Sequence, residues 1–297
     1  MNFPLIWDST ALASLRACHK QLEYSTFRSL KRRGESVHLH AGAAFARGLE
    51  VARLAFYAEG LSPNECVARG IHALITAYGD FDPGGSAKSC DRMVGALEYY
   101  FSEFPFETDP ARVISLQGKP AVEFSFAIPL PISHPESGEP LIFAGRFDAI
   151  VEYAGGLYAM DEKTTSSLGA TWSKQWDLRG QFCGYAWAMR EHNLPPAGTI
   201  VSGVSILKTK YEQQRAIIPQ PDWKINEWLA DSLAEITLAK SRFLAGEKAR
   251  KNWSESCNGY GGCAYKELCS VEDPSPWIDT YFEVRVWNPL KQSESTS

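Results

Sequence analysis

Several patterns that would assign a class of protein at once are missing from this chain of 297 residues. It contains no uncharged apolar run of about eighteen residues, so the sequence predicts no transmembrane helix. The N-terminal stretch MNFPLIWDST has neither the basic start nor the apolar core of a signal peptide, which favours a cytoplasmic location. A Walker A lysine loop and a G-x-G-x-x-G fingerprint are both missing, so no ATP-driven helicase activity is predicted.

The chain also lacks the net positive charge of many nucleic-acid-binding proteins. Its 30 Lys and Arg residues against 35 Asp and Glu residues give a formal net charge of −5. Basic clusters within residues 16–33 and 240–251 leave room for local DNA contacts, with solvated helix faces as the alternative. The apolar content of 44% and charged content of 22% indicate an ordinary globular protein, long enough to bury a sizeable core.

The most informative stretch, at residues 145–165, reads GRFDAIVEYAGGLYAMDEKTT. Two strand-like segments flank its central A-G-G, and this pattern predicts a hairpin. The hairpin would bring Asp148 beside Asp161 and Lys163. Two carboxylates at the end of apolar strands are costly unless something pairs them, and carboxylate oxygens suit Mg²⁺ or Mn²⁺. An ordinary salt bridge at a strand end is the alternative.

A helix downstream adds two polar side chains, Gln181 and Tyr185, which are four residues apart and share one face. The order Asp148, Asp161-x-Lys163 and Gln181-x-x-x-Tyr185 resembles the PD-(D/E)XK nuclease superfamily. The most similar branch contains the RecB and AddB nuclease domains, the CRISPR-associated adaptation exonucleases, and phage and prophage recombination exonucleases. Trp172 and Trp176, which lie between hairpin and helix, are expected either to stack on DNA bases or to anchor packing.

The resemblance implies a role for each of these residues. It assigns the metal ligands to four acidic positions: Asp148, Asp161, Glu162 (through its carbonyl group) and Glu123. Lys163 would orient the attacking water and stabilise the transition state, and Gln181 and Tyr185 would hold Lys163 or the phosphate. Family members carry a histidine where this chain has Ala46, so His40, just before the predicted helix, is the candidate substitute. A solvent-facing glutamate and a structural histidine are the alternatives for Glu123 and His40.

Seven cysteines are present, three of them late in the chain with C-x5-C-x5-C spacing: Cys257, Cys263 and Cys269. Disulfides are not expected in a reducing cytoplasm, so metal or cluster ligation is the first alternative. Thiolates suit zinc or an iron–sulfur cluster. In the AddB-like and CRISPR-associated relatives, three late cysteines and one early one hold a [4Fe–4S] cluster. The resemblance therefore implies such a cluster on Cys18 and the three late cysteines, with zinc as the alternative.

The predicted fold is α/β: a mixed central sheet flanked by helices, with a restriction-endonuclease-like core, an N-terminal helical region and a C-terminal cysteine staple. One nuclease domain is expected over residues 1–297. It would comprise a mainly helical region at 1–110, a catalytic core at 111–220, and a long helix with the cysteine cluster and tail at 221–297. The last residues, KQSESTS, are expected to be disordered.

The expected function is that of a Mg²⁺- or Mn²⁺-dependent DNA exonuclease, bacterial or phage-encoded, in phage recombination, DNA repair or CRISPR adaptation. Its partners would be single-stranded DNA or the ends of duplex DNA, with a recombination protein as a further candidate and no membrane. The alternative is a non-catalytic DNA-binding or assembly protein on a nuclease scaffold. Ala46 favours that alternative, whereas the intact Asp148, Asp161 and Lys163 argue against it.

Overall fold

The computed structural model describes residues 2–34, 36–258 and 262–286. Helices dominate the chain up to residue 103, and strands dominate from residue 112 to residue 165. The strands are β1 (Ile6–Trp7), β2 (Leu30–Arg32), β3 (Arg112–Val113), β4 (Ser115–Leu116), β5 (Lys119–Pro120), β6 (Val122–Ser133), β7 (Pro140–Tyr153), β8 (Gly156–Thr165), β9 (Pro196–Ile206), β10 (Tyr211–Pro219) and β11 (Phe282–Val284). The α-helices are α1 (Ser9–Ala17), α2 (His19–Leu22), α3 (Val37–Tyr57), α4 (Pro63–Tyr78), α5 (Cys90–Glu103), α6 (Gly180–Glu191), α7 (Asp222–Leu244), α8 (Lys266–Cys269) and α9 (Ser275–Tyr281).

The chain folds into two compact units, each assembled from segments that are far apart in sequence. Unit 1 consists of residues 1–34, 125–146 and 226–297, and unit 2 consists of residues 35–124 and 147–225. The predicted disordered sequence KQSESTS lies outside the described residues. Within the part of the chain that the structure describes, no helix has both the length and the apolar character needed to cross a membrane.

Unit 2 contains the strands that carry the candidate site. β8 pairs antiparallel with β7 and parallel with β9, and β10 extends the sheet antiparallel to β9. Helix α6 lies between β8 and β9 in the chain, as expected because two parallel strands need a crossover connection. This mixed sheet flanked by helices confirms the predicted α/β class.

Helices α3, α4 and α5 form a hydrophobic core in unit 2 together with Val204 and Ile206 of β9. Two glycines allow α3 and α4 to approach each other closely. A Cβ atom at Gly48 would lie 3.1 Å from the carbonyl oxygen of Gly70, and one at Gly70 would lie 2.8 Å from the carbonyl oxygen of Gly48. This tightly packed helical layer covers the face of the sheet to which Val204 and Ile206 point.

Unit 1 brings an early part of the chain together with a late one. β2 pairs antiparallel with β11, and β1 pairs in parallel with β7. Tyr24, Tyr265 and Phe282 belong to one buried cluster, with Cys263 and Cys269 packed against it. The region that precedes α3 and the region that follows α7 thus share one small core.

Candidate active site

A tight turn sets the register of the hairpin that carries the acidic residues. Ala154 and Gly155 have φ values of 49° and 78°, both in the left-handed region, and Tyr153 pairs with Gly156. Two consecutive left-handed residues are what a type I′ turn requires. Further along the hairpin, Ala149 pairs with Met160, so the next position in this register sets Asp148 against Asp161. The sheet pairing that the sequence predicts is therefore present.

Asp161 lies at the centre of the candidate site. Its side chain is 2% exposed, and its Oδ2 atom is 2.5 Å from the Nζ atom of Lys163. Its Oδ1 atom accepts a hydrogen bond of 3.0 Å from the amide group of Gln181. Asp161 and Lys163 are two residues apart on one strand, so both side chains emerge from the same face of β8. Helix α6 supplies Gln181 on that face.

Asp148 is held by the backbone of the neighbouring strand, because the N–H group of Glu162 donates to its Oδ2 atom at 2.7 Å. Burial, and after it the negative charge of Asp161, raise the pKa of Asp148 to about 6. The ionisation of Asp148 is therefore energetically costly in the empty site. A cation bound between the carboxylates would offset that cost.

Lys163 provides the positive charge of the site. Burial acts to lower its pKa, but the charges of Asp161 and Asp148 outweigh burial, and the pKa is raised above its ordinary value. Lys163 consequently stays protonated at neutral pH. It can donate hydrogen bonds and stabilise negative charge, but it cannot serve as a proton acceptor there.

Gln181 and Tyr185 form the wall of the site on α6. The amide group of Gln181 donates to the hydroxyl oxygen of Tyr185 at 2.9 Å as well as to Asp161. The ring of Tyr185 packs 4.9 Å from that of Phe147. Burial, with added effects from Asp161 and Asp148, holds the pKa of Tyr185 well above its usual range. The structure thus places Gln181 against Asp161 and Tyr185 against Gln181, and the expected contact of these two residues with Lys163 or the phosphate stays a prediction.

Glu123 and His40 are the two remaining residues that the sequence assigns to the site. Glu123 is the second residue of β6 and has a left-handed φ of 48°, and its charge is among the causes that raise the pKa of Tyr185. His40 is tied to the end of α4, because its Nε2 atom lies 2.8 Å from the carbonyl oxygen of Tyr78 and its ring stacks on Phe81 at 4.1 Å. These contacts hold His40 at the end of α4, and its expected role in the site stays a prediction.

Trp172 and Trp176 are buried, with ring centroids 5.0 Å apart and ring planes at 83° to each other. Trp172 also packs over Gly203 of β9, where a Cβ atom would collide with its ring. Of the two expectations for these tryptophans, packing is confirmed, and stacking on DNA bases is wrong.

Three further residues, which sequence reasoning did not identify, support β8 from its other face. Arg53 of α3 and Tyr100 of α5 contact the side chain of Glu162, at 2.5 and 2.9 Å. Lys88 donates to both oxygens of Thr164, at 3.1 and 2.8 Å. A sequence signal existed for Arg53, because it falls at a core position of an otherwise apolar helix face.

The four predicted cysteine ligands lie in unit 1, where all four line one cavity of about 180 Å³: Cys18, Cys257, Cys263 and Cys269. The cavity also contains Lys251, whose ammonium group donates to the carbonyl oxygen of Cys269 at 2.7 Å. Among the described residues, no three His, Cys, Asp or Glu side chains stand in an arrangement that could hold a metal ion. The four thiols therefore line the same cavity but do not have the geometry of a metal site.

Comparisons with known proteins show to which family this chain belongs. The solved structures that match this chain include a provisionally named exonuclease from Eubacterium rectale, with 14% identity over 92% of this chain and 91% of that chain and a TM-score of 0.49. Another is SSO0001, with 15% identity, coverage of 88% and 94%, and a TM-score of 0.30. No curated protein matches. The family model of the PD-(D/E)XK nuclease superfamily matches residues 6–270. Because that match spans well over half of the sequence, the chain belongs to the PD-(D/E)XK nuclease superfamily.

Proposed function

We propose that this protein is a metal-dependent deoxyribonuclease that hydrolyses phosphodiester bonds from DNA ends. One observation carries the proposal: Asp161, 2% exposed, lies 2.5 Å from Lys163, with the acidic Asp148 beside them. Two adjacent acidic side chains, of which Asp161 is buried, are suited together with a protonated lysine to a cation and a phosphate group. The family match by itself shows membership of a nuclease superfamily, and the geometry of these three residues is what supports the activity proposed here.

The donor set fits Mg²⁺ or Mn²⁺. Both ions prefer oxygen ligands, and Mg²⁺ is commonly bound by one or two carboxylates together with water and substrate phosphates. Two acidic side chains are therefore enough, even though no group of three stands in metal-binding geometry among the described residues. We assign Asp148 and Asp161 as the ligands, with the Glu162 carbonyl group and Glu123 as additional donors. When bound, such an ion supplies charge for the scissile phosphate and lowers the pKa of a water molecule.

The side chains of the protein contribute orientation and charge. Lys163, whose pKa is raised, donates a hydrogen bond to the attacking water or to a phosphate oxygen and stabilises the transition state. Gln181 holds one oxygen of Asp161 and thereby fixes the direction of the carboxylate. Tyr185 holds Gln181 in turn. His40 remains the proposed substitute for the family histidine, and its contacts with Tyr78 and Phe81 fix its ring at the end of α4.

We further propose exonuclease rather than endonuclease action, on single strands or duplex ends, in phage recombination or DNA repair. The support is the resemblance of the Asp148, Asp161-x-Lys163 and Gln181-x-x-x-Tyr185 pattern to the RecB and AddB branch. A cytoplasmic location and a recombination protein as partner belong to the same proposal.

The test is a cleavage assay on end-labelled linear DNA and on circular DNA, single- and double-stranded, with Mn²⁺ or EDTA. We expect Mn²⁺-dependent loss of the linear substrates, and no cleavage by Lys163→Ala. The matched control is Lys174→Ala, which removes an exposed lysine and should retain activity. Robust Mn²⁺-dependent cleavage by a folded Lys163→Ala variant would contradict the assignment.

The second candidate is a non-catalytic DNA-binding or assembly protein on this scaffold. Ala46 favours it, because the superfamily branch carries a histidine at that position. The same assay separates the two candidates. Wild-type protein that retards DNA in a gel but leaves every substrate intact with Mn²⁺ would support the non-catalytic function.

We also propose that the four cysteines of unit 1 hold a [4Fe–4S] cluster, with zinc as the alternative. Four thiols around one cavity match the ligand number and type of such a cluster. The thiols would have to move closer together, since their present arrangement does not form a metal site. Anaerobic purification followed by a visible spectrum and metal analysis is the test. Iron with a broad visible absorption is expected, Cys18→Ser should lose both, and a colourless zinc-loaded protein would overturn the cluster.

A further inference from the structure

The side chain of Glu162 points away from the candidate site and is held in the interior. It follows Asp161 and precedes Lys163 on β8, so it emerges from the opposite face of the strand. Its Oε1 atom lies 2.5 Å from the guanidinium group of Arg53 and 2.9 Å from the hydroxyl group of Tyr100. The side chains of Arg53 and Glu162 are 7% and 3% exposed. The proposed mechanism uses neither of these two charges.

A buried ion pair needs a reason beyond stability. Removing two charges from water costs several kcal/mol per ion, and well-packed apolar residues are often as stable or more so. The backbone of Glu162 offers such a reason, because its N–H group donates to Asp148 at 2.7 Å. The peptide groups of Glu162 therefore contact the acidic pair directly, while its side chain is anchored on the far side of the sheet.

Other contacts on the far face restrict the same stretch of β8. Arg53 also lies 3.4 Å from the sulfur atom of Met160, and Lys88 holds both oxygens of Thr164. The three consecutive far-face residues Met160, Glu162 and Thr164 are thus each in contact with a buried cation. These contacts oppose rotation of the peptide units between them, and those units also carry Asp161 and Lys163.

We propose that Arg53 is a positioning residue for the metal ligands, acting through Glu162. Anchored by Arg53, Glu162 keeps its N–H group aimed at Asp148 and its carbonyl group in the direction that the proposed metal site requires. Without the anchor, the hydrogen bond to Asp148 would no longer be fixed in direction. This inference rests on the proposed metal-dependent function.

The test is a calorimetric titration with Mn²⁺ in the absence of DNA, which reports metal binding without requiring catalysis. Arg53→Met removes the anchor while keeping a long side chain. We expect about 10-fold weaker Mn²⁺ binding, since loss of outer-shell partners typically costs 10- to 100-fold in metal affinity. Glu162→Gln is the second variant, because glutamine still accepts from Tyr100 and favours folding. We expect weaker binding there too.

Asp109→Asn is the matched control. Asp109 forms another ion pair of unit 2, with Arg215 at 2.6 Å and both side chains 12% exposed, and Arg215 also reaches Tyr100. The control removes a charge from this pair and leaves Arg53 and Glu162 in place, so Mn²⁺ affinity should change less than about 2-fold. Thermal unfolding of all variants shows whether stability losses are comparable.

The outcomes separate this inference from the proposed function. Wild-type affinity in folded Arg53→Met and Glu162→Gln, or an equal loss in Asp109→Asn, would overturn the positioning role alone. Wild-type protein that binds no Mn²⁺ would overturn the metal-dependent function and this inference with it. Selective loss of Mn²⁺ affinity in Arg53→Met and Glu162→Gln would support both.

Discussion

Replacing Lys88 with methionine is expected to remove a rise in stability between pH 8 and pH 10. Lys88 is 4% exposed, and its contacts at the end of β8 are the carbonyl and hydroxyl oxygens of Thr164. Neither acceptor carries a negative charge to compensate the buried ammonium group. Burial therefore lowers the pKa of Lys88 from 10.5 to about 8.

The sign of the effect follows from the protons bound by each state. Below pH 8 both the folded and the unfolded chain carry the proton, and folding bears the full cost of burying the charge. Between about pH 8 and pH 10.5 the unfolded chain binds more protons, so the free energy of unfolding rises with pH. One pKa unit is worth about 1.4 kcal/mol, so the full rise is about 3 kcal/mol. Methionine has no proton to lose, and the variant lacks this contribution.

The assay is chemical denaturation at pH 7, 8, 9 and 10 in EDTA, for wild type, Lys88→Met and Lys248→Met. The last variant removes an exposed lysine and controls for net charge. Lys88→Met also leaves the Thr164 oxygens without a donor, but that loss shifts every point alike. The difference between wild type and Lys88→Met should change by about 2 to 3 kcal/mol across the series. Parallel curves would refute the reasoning.

Three other substitutions have defined outcomes. Gly198→Ala would drive a Cβ atom into the backbone of Ile218, so it should lower the free energy of unfolding, measured by chemical denaturation, by about 2 kcal/mol. Asp148→Asn should raise the melting temperature in EDTA at pH 7.5 but not at pH 4.5, because the raised pKa of Asp148 makes its ionised form costly only at the higher pH. Gln181→Leu removes the hydrogen-bond donor to one oxygen of Asp161. It should lower the free energy of unfolding by about 1 to 3 kcal/mol in chemical denaturation and slow DNA cleavage.

The part of the site that the sequence predicts is the part formed by local rules. Alternating residues and an A-G-G turn fix the hairpin, and the two left-handed residues of that turn set the register that joins Asp148 to Asp161. The spacing of four on α6 likewise places Gln181 and Tyr185 on one face. These relations depend on a few neighbouring residues, so the linear pattern contains them.

The remaining features depend on contacts between distant segments, which periodicity does not encode. Arg53 and Glu162 are 109 residues apart, and Lys88 and Thr164 are 76 apart. The left-handed backbone of Glu123 interrupts the alternation that the sequence of β6 predicts. For His40 the resemblance predicts a place near the metal, whereas its contacts with the carbonyl group of Tyr78 and the ring of Phe81 have no signal in the sequence.

The two-residue turn also has an evolutionary consequence. Twelve residues separate Asp148 from Asp161, and they form two strand segments of equal length around the turn. Lengthening each segment by one residue would keep the two aspartates opposite each other. A single inserted residue in either segment would slip the pairing and send one carboxylate to the wrong face. As long as the two-residue turn is kept, descendants of this hairpin should therefore gain or lose residues in both segments together.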